Sequence, residues 1–215
     1  MTLVHYGCGH YAPDGWLNFD ASLTLKIERL PVVGKMIKKN FQRFPENVTF
    51  GDIVRGLPVP AASVDAVYAS HVLEHLSRTG MLEALRNTFS MLKPNGTFRL
   101  IVPDLEARAR RYINDIGSRH DANDWFIRAS CLGRETDPRG LVQHASEFLG
   151  RSKHLWMWDY PSMKAVLELV GFVSVRRCDI GDSGLREFEL VERRDRFYDE
   201  ALNIRELAIH CQKPA

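Results

Sequence analysis

Gly7-Cys8-Gly9 follows the short apolar run Leu3–Tyr6. Glycines at such a turn let backbone N–H groups come close to a ligand. Asp20 closes the next extended stretch, Trp16–Asp20, where a carboxylate would accept hydrogen bonds from a ribose diol. Asp52, with Ile53 beside it, follows Val48–Phe50 and is placed to accept from an adenine amino group. Ser70 and His71 end the run Val64–Ser70 beside the same crevice. Taken singly, each is an ordinary turn residue or helix cap. In this order at successive strand ends they suit an adenosine.

Positioning these residues takes alternating strands and helices, the pattern of an α/β sheet. Beyond the four stretches already named, Thr97–Val102 reads as a fifth strand launched from Lys93-Pro94-Asn95-Gly96, and Phe172–Arg176 as a sixth. Glu206–Cys211 is the last. Leu82, Leu85, Phe89 and Leu92 recur at spacings of three and four, which predicts an amphipathic helix over Met81–Leu92. Ser162–Val170 repeats the pattern and Gly171 caps it. Asp104–Leu155 is a long polar stretch after the fifth strand, expected to be a helical lid or substrate element. In open α/β sheets ligands lie beyond the carboxyl ends of the strands, where this insertion emerges.

The motif Gly7-Cys8-Gly9-x6-Trp16-Leu-Asn-Phe-Asp20, then Asp52-Ile53 ahead of Gly56-Leu57-Pro58, resembles the class I S-adenosylmethionine (SAM)-dependent methyltransferase superfamily. The run from Val64 to His75 and the turn Leu92-Lys-Pro-Asn-Gly96 are similar to its fourth strand and the entry to its fifth. The likeness is nearest to a small bacterial branch, type-11-like, and covers residues 3–105 well. It resumes at His154–Phe172. The resemblance implies one doubly wound, Rossmann-like α/β domain over residues 1–215, with a mostly parallel seven-stranded sheet and an antiparallel last strand. It also implies that Gly7, Cys8 and Gly9 hold the methionine part of SAM, Asp20 the ribose, and Asp52 with Ile53 the adenine. Ser70 and His71 would lie near the sulfonium. Two departures stand out. Pro13 and Gly15 leave room for about one helical turn between the first two strands. His5 and Tyr6 stand where many members carry an acid.

Methyl transfer needs an aligned nucleophile and, for a hydroxyl, a base to take its proton. His154, Asp104 and His71 are the expected catalytic residues, with His144 a further candidate. His154 leads into the aromatic Trp156-Met-Trp158, which could stack on a sugar ring. The branch resembled often serves surface-glycan pathways, so a sugar hydroxyl is the expected acceptor.

Gly7-Cys-Gly-His-Tyr-Ala12 also satisfies a dinucleotide fingerprint, but Asp20 comes too soon and Pro13 interrupts the helix that reading needs. An NAD-dependent oxidoreductase is therefore the weaker reading, as is a SAM-fold protein that binds without catalysis. His71-Val-Leu-Glu-His75 has H-x-x-E-H spacing, which on a continuous helix could chelate zinc. His71 directly follows a strand, so no metal is assigned. The net charge of +2 argues against a dedicated nucleic-acid binder. Four scattered cysteines read as reduced cytosolic thiols, and no apolar run has transmembrane length, so a cytoplasmic chain is expected. Leu23–Phe44 interleaves basic and apolar residues, a pattern compatible with peripheral membrane contact.

Overall fold

The computed structural model describes residues 1–30, 43–133 and 153–215. His144, most of the basic stretch within Leu23–Phe44, and residues 134–152 of the expected insertion lie outside the described residues.

The central strand β4, Val64–Ser70, is apolar on both faces and almost wholly buried, as a strand covered by helices on either side must be. β1 (Leu3–Tyr6) pairs with it in parallel, Tyr6 opposite Ala69. β2 (Leu17–Asp20) and β3 (Val48–Phe50) continue outward, also parallel. On the other side lie β5 (Leu92–Val102), then β7 (Leu207–Gln212), then β6 (Val173–Arg177). β7 runs antiparallel to both neighbours. The order β3-β2-β1-β4-β5-β7-β6 and its single reversed strand are the Rossmann-like methyltransferase arrangement. A hairpin of Tyr198–Asp199 with Ile204–Arg205 stands apart.

β5 begins earlier than the sequence predicts. Leu92 already pairs with Val64, Lys93–Gly96 bulge out with Asn95 at φ +63°, and pairing resumes at Thr97 opposite Ala66. Helix α2 (Arg78–Met91) likewise starts a turn early, because the Ser77 hydroxyl accepts from the Gly80 N–H and caps it. α1 (Leu23–Glu28) follows β2. α3 (Leu105–Asp115) and α4 (Ala122–Ala129) form the described part of the insertion after β5. α5 (Tyr160–Val170) opens with a reciprocal Asp159–Ser162 capping box and ends at Gly171, φ +113°. None of the helices among the described residues is long and apolar enough to cross a membrane.

One apolar layer packs α2 and α5 against the sheet through Val67, Leu85, Phe98, Met163 and Leu167. The opposite layer gathers Leu3, Trp16, Tyr68, Ile101 and Phe188. α3 is pinned by charge. Arg108 is 2% exposed and forks onto Glu206, both contacts at 2.8 Å.

Candidate active site at the carboxyl ends of β1–β4

Because β1 and β4 run parallel in register, the turns leaving them emerge side by side. Gly7 takes φ +66°, and a Cβ there would lie 2.1 Å from Val72 Cγ2. Only glycine lets the loop after β1 pass this close to the loop after β4. His71 turns the chain out of β4 at φ +54°, a conformation a non-glycine residue holds only when its surroundings enforce it. Its N–H is satisfied by the Ile101 carbonyl at 2.9 Å.

Beyond these ends opens a cavity of about 370 Å³. Gly7, Asp20, Asp52, Ile53 and His71 line it, together with Tyr6 and His75. The sequence marks His75 only through the H-x-x-E-H spacing and Tyr6 only as a departure from the family pattern, so neither is expected at the cavity. Tyr6 alternates with the buried His5, so strand periodicity could have pointed to it.

Cys8, Gly9 and Ser70, three further residues expected at the cofactor, are not among the lining residues. The shortened loop explains the first two. Cys8 N–H donates to the Phe19 carbonyl at 3.2 Å, and Gly9 N–H donates to Asp20 Oδ2 at 2.9 Å. The loop thus folds back on β2, and the Cys8 side chain joins Leu25 and Val48 in a small apolar cluster. Burial pushes its thiol up to about 12, which leaves it unreactive. Ser70 is 8% exposed, at the buried end of β4.

The acids are held by backbone. Asp20 Oδ1 accepts from Ser22 N–H at 2.7 Å, and Asp52 Oδ1 accepts from Val54 N–H at 3.0 Å. Each keeps acceptor capacity for a ligand, since a carboxylate oxygen carries two lone pairs.

His71 has both ring nitrogens near protein groups. Nε2 lies 3.1 Å from the Arg196 carbonyl and Nδ1 lies 3.4 Å from Glu74 Oε1. Burial works against a charged ring, but the neighbouring Glu74 carboxyl outweighs it and raises the pKa above the ordinary value. His154 sits behind His75, ring centroids 5.2 Å apart, and does not line the cavity. Burial lowers its pKa. Asp104 is 4% exposed and its carboxylate is committed. Oδ1 accepts from Glu106 N–H and Ala107 N–H to cap α3, while Oδ2 pairs with Arg177 at 3.0 Å. Trp158 cannot stack on a sugar, because it is 3% exposed and belongs to the core. Trp156 is 44% exposed.

A family model described as a methyltransferase domain matches residues 10–176, well over half of the chain. The chain belongs to the methyltransferase domain family. It is of the SAM-dependent class that its strand ends resemble, and the cavity residues fit that cofactor. Gly7 leaves no Cβ in the way, two acids sit at the ends of β2 and β3, and the buried Ile53 offers an apolar wall.

Solved structures share the fold at low identity. A SAM-dependent methyltransferase from Methanosarcina mazei is 13% identical with a TM-score of 0.50, over 99% of this chain and 92% of that one. A Thermotoga maritima SAM-dependent methyltransferase, described as a possible histamine N-methyltransferase, is 15% identical with a TM-score of 0.50. That alignment covers 99% of this chain and 82% of that one. No curated protein matches the sequence of this methyltransferase.

Proposed function

We propose that this methyltransferase moves a methyl group from SAM to a hydroxyl or amine of a small molecule, with a sugar hydroxyl as the preferred acceptor. The observation that carries the reading is the cavity at the carboxyl ends of β1–β4, walled by Gly7, Asp20, Asp52 and Ile53 in a chain of this family. SAM supplies a methyl already activated by its sulfonium. The protein's part is to bind, orient and exclude water.

In this reading Asp20 takes the ribose hydroxyls and Asp52 with Ile53 takes the adenine. Gly7 gives the methionine part its close approach, with Cys8 and Gly9 shaping that loop from behind. Of the three residues expected to act on the acceptor, His71 lines the cavity and is assigned to the reacting end, with Ser70 beneath it. Asp104 is assigned to hold α3, and His154 to the turn behind His75. Residues 104–155 serve as the substrate lid. The sugar assignment rests on the resemblance to glycan-modifying relatives and on the exposed Trp156. A cytoplasmic location belongs to the same proposal, supported by four free cysteines.

Calorimetric titration with SAM and S-adenosylhomocysteine, with NAD as control, tests the cofactor half. Saturable micromolar binding of both sulfur nucleotides, lost in Asp20→Ala, is the expected result. Binding of NAD alone would overturn it. Methyl transfer from labelled SAM across a panel of sugars and amines then tests the acceptor half. His71→Gln should lower kcat on any acceptor found.

A further inference from the structure

Beside the cavity, the 3-10 turn Leu73–His75 meets the segment that leads into α5. Two N–H groups, from Leu155 and Trp156, donate to the Glu74 carbonyl at 2.7 and 3.2 Å and clamp the two segments together. Their side chains form an arrangement that neither segment explains alone.

Glu74 is 0% exposed, and neither of its carboxyl oxygens has a hydrogen-bond partner among the described residues. His154 Nδ1 is also buried without one. His75 brings Nε2 to 3.8 Å from Glu74 Oε1. Its other nitrogen, Nδ1, lies 3.1 Å from the Lys153 carbonyl. A carbonyl can only accept, so Nδ1 carries a hydrogen, and in the neutral ring Nε2 presents its lone pair to the carboxyl. His71 stands on the other side of the carboxyl, with Nε2 against the Arg196 carbonyl and Nδ1 3.4 Å from Glu74 Oε1. Between His75 and His154 the Glu74 carboxyl oxygens and His154 Nδ1 are thus buried without a hydrogen-bond partner among the described residues. Arg108, close enough to bias His154 electrostatically, spends its guanidinium on Glu206.

A cation answers this arrangement. One ligand atom each from Glu74, His75 and His154 lies within 4.8 Å of the others. We propose that these three residues form a binding site for a divalent transition-metal ion of the zinc type. Two imidazoles and one carboxylate are a borderline donor set that suits zinc or cobalt over calcium or magnesium. Contraction of roughly an ångström would bring the three donors to the usual bond lengths of about 2.0–2.2 Å. The Lys153 carbonyl already orients His75 as an outer partner orients a metal-bound histidine. Three protein ligands leave a further position open for water or an acceptor oxygen, and His75 also lines the cavity, so the ion would border it. The H-x-x-E-H spacing points to His71 as the second histidine. The third ligand is instead His154, brought in by the fold.

The test uses the full chain equilibrated with cobalt(II) or zinc(II) and then dialysed. Elemental analysis should find one ion per chain, and the cobalt form should show the visible absorption of a low-coordinate site. Glu74→Gln and His154→Ala should each weaken cobalt affinity by at least about 100-fold, beyond what loss of an outer partner costs. His120→Ala, at an exposed position, should leave it unchanged. Calorimetric SAM binding on the same samples reports that the variants are folded, and it separates this inference from the methyl-transfer reading, which can fail independently. No ion retained by the parent chain, or equal affinity in Glu74→Gln and His154→Ala, would overturn the proposal.

Discussion

At the end of β2 the Asp20 carboxylate accepts from Gly9 N–H and Ser22 N–H, so it shapes the glycine loop as well as bordering the cavity. Asp20→Ala should therefore weaken SAM binding by more than tenfold, about 1.4 kcal/mol, and also lower the melting temperature. Asp20→Asn, which keeps one of the two acceptor oxygens and turns an NH2 on the other N–H, should recover only part of the melting temperature and none of the affinity. Calorimetry and a thermal melt on the same samples separate the two effects. Gly7 faces a steric limit of a different kind. Gly7→Ala sets a Cβ against Val72 and strains a residue at φ +66°, so a loss of roughly 1–3 kcal/mol is expected. Urea unfolding would measure it. Adding Val72→Ala should return part of the loss, because the clash is relieved and the backbone strain is not.

Among elements, α3 depends most on partners distant in sequence. Its cap is Asp104, which also pairs with Arg177 of β6, and its Arg108 is buried against Glu206 at the entry to β7. Removing one member of a buried pair strands the other, so Glu206→Ala should cost about 3–5 kcal/mol. Replacing both by apolar residues, Arg108→Met with Glu206→Leu, should cost much less, which denaturant titration of the two variants would show. The strands of the sheet were readable from short apolar runs: β1, β3 and β4 have the expected bounds, β2, β6 and β7 shift by one residue, and β5 departs. There the Pro94-Asn95-Gly96 turn hides the pairing of Leu92, because a bulge breaks the alternation that marks a strand. The short loop after β1 was legible too, since Pro13 and Gly15 forbid the longer helix. That the loop would turn its N–H groups back onto β2 was not, because this depends on where Phe19 and Asp20 stand in the folded sheet.

At the scale of the whole molecule, two buried histidines on the sheet couple stability to pH. Burial lowers His5 to about 4, and burial together with Arg176 and Arg99 lowers His210 to about 4. Both lie below the unfolded value near 6.5, so the unfolded chain takes up protons that the native one refuses. The contribution of these two histidines should hold above pH 6.5, fall as pH drops toward 4, and level off below. By pH 5 the loss should be of order 2 kcal/mol per histidine, measurable by urea titration at pH 7.5 and 5. His5→Gln should flatten part of the slope.

By itself the sequence determined the α/β class, the succession of strand ends and the placement of Gly7, Asp20, Asp52 and His71 around one crevice. These are local matters, set by side-chain periodicity, turn chemistry and the rule that parallel strands open their ligand sites at the carboxyl end. Tertiary structure alone decided that Asp104 caps a helix, that Trp158 lies in the core, and that Cys8 packs away from the cavity. It also brought His154 to Glu74. Residues so far apart in the chain meet only after the sheet is assembled, and burial, not residue type, determines which polar atoms are left without a partner.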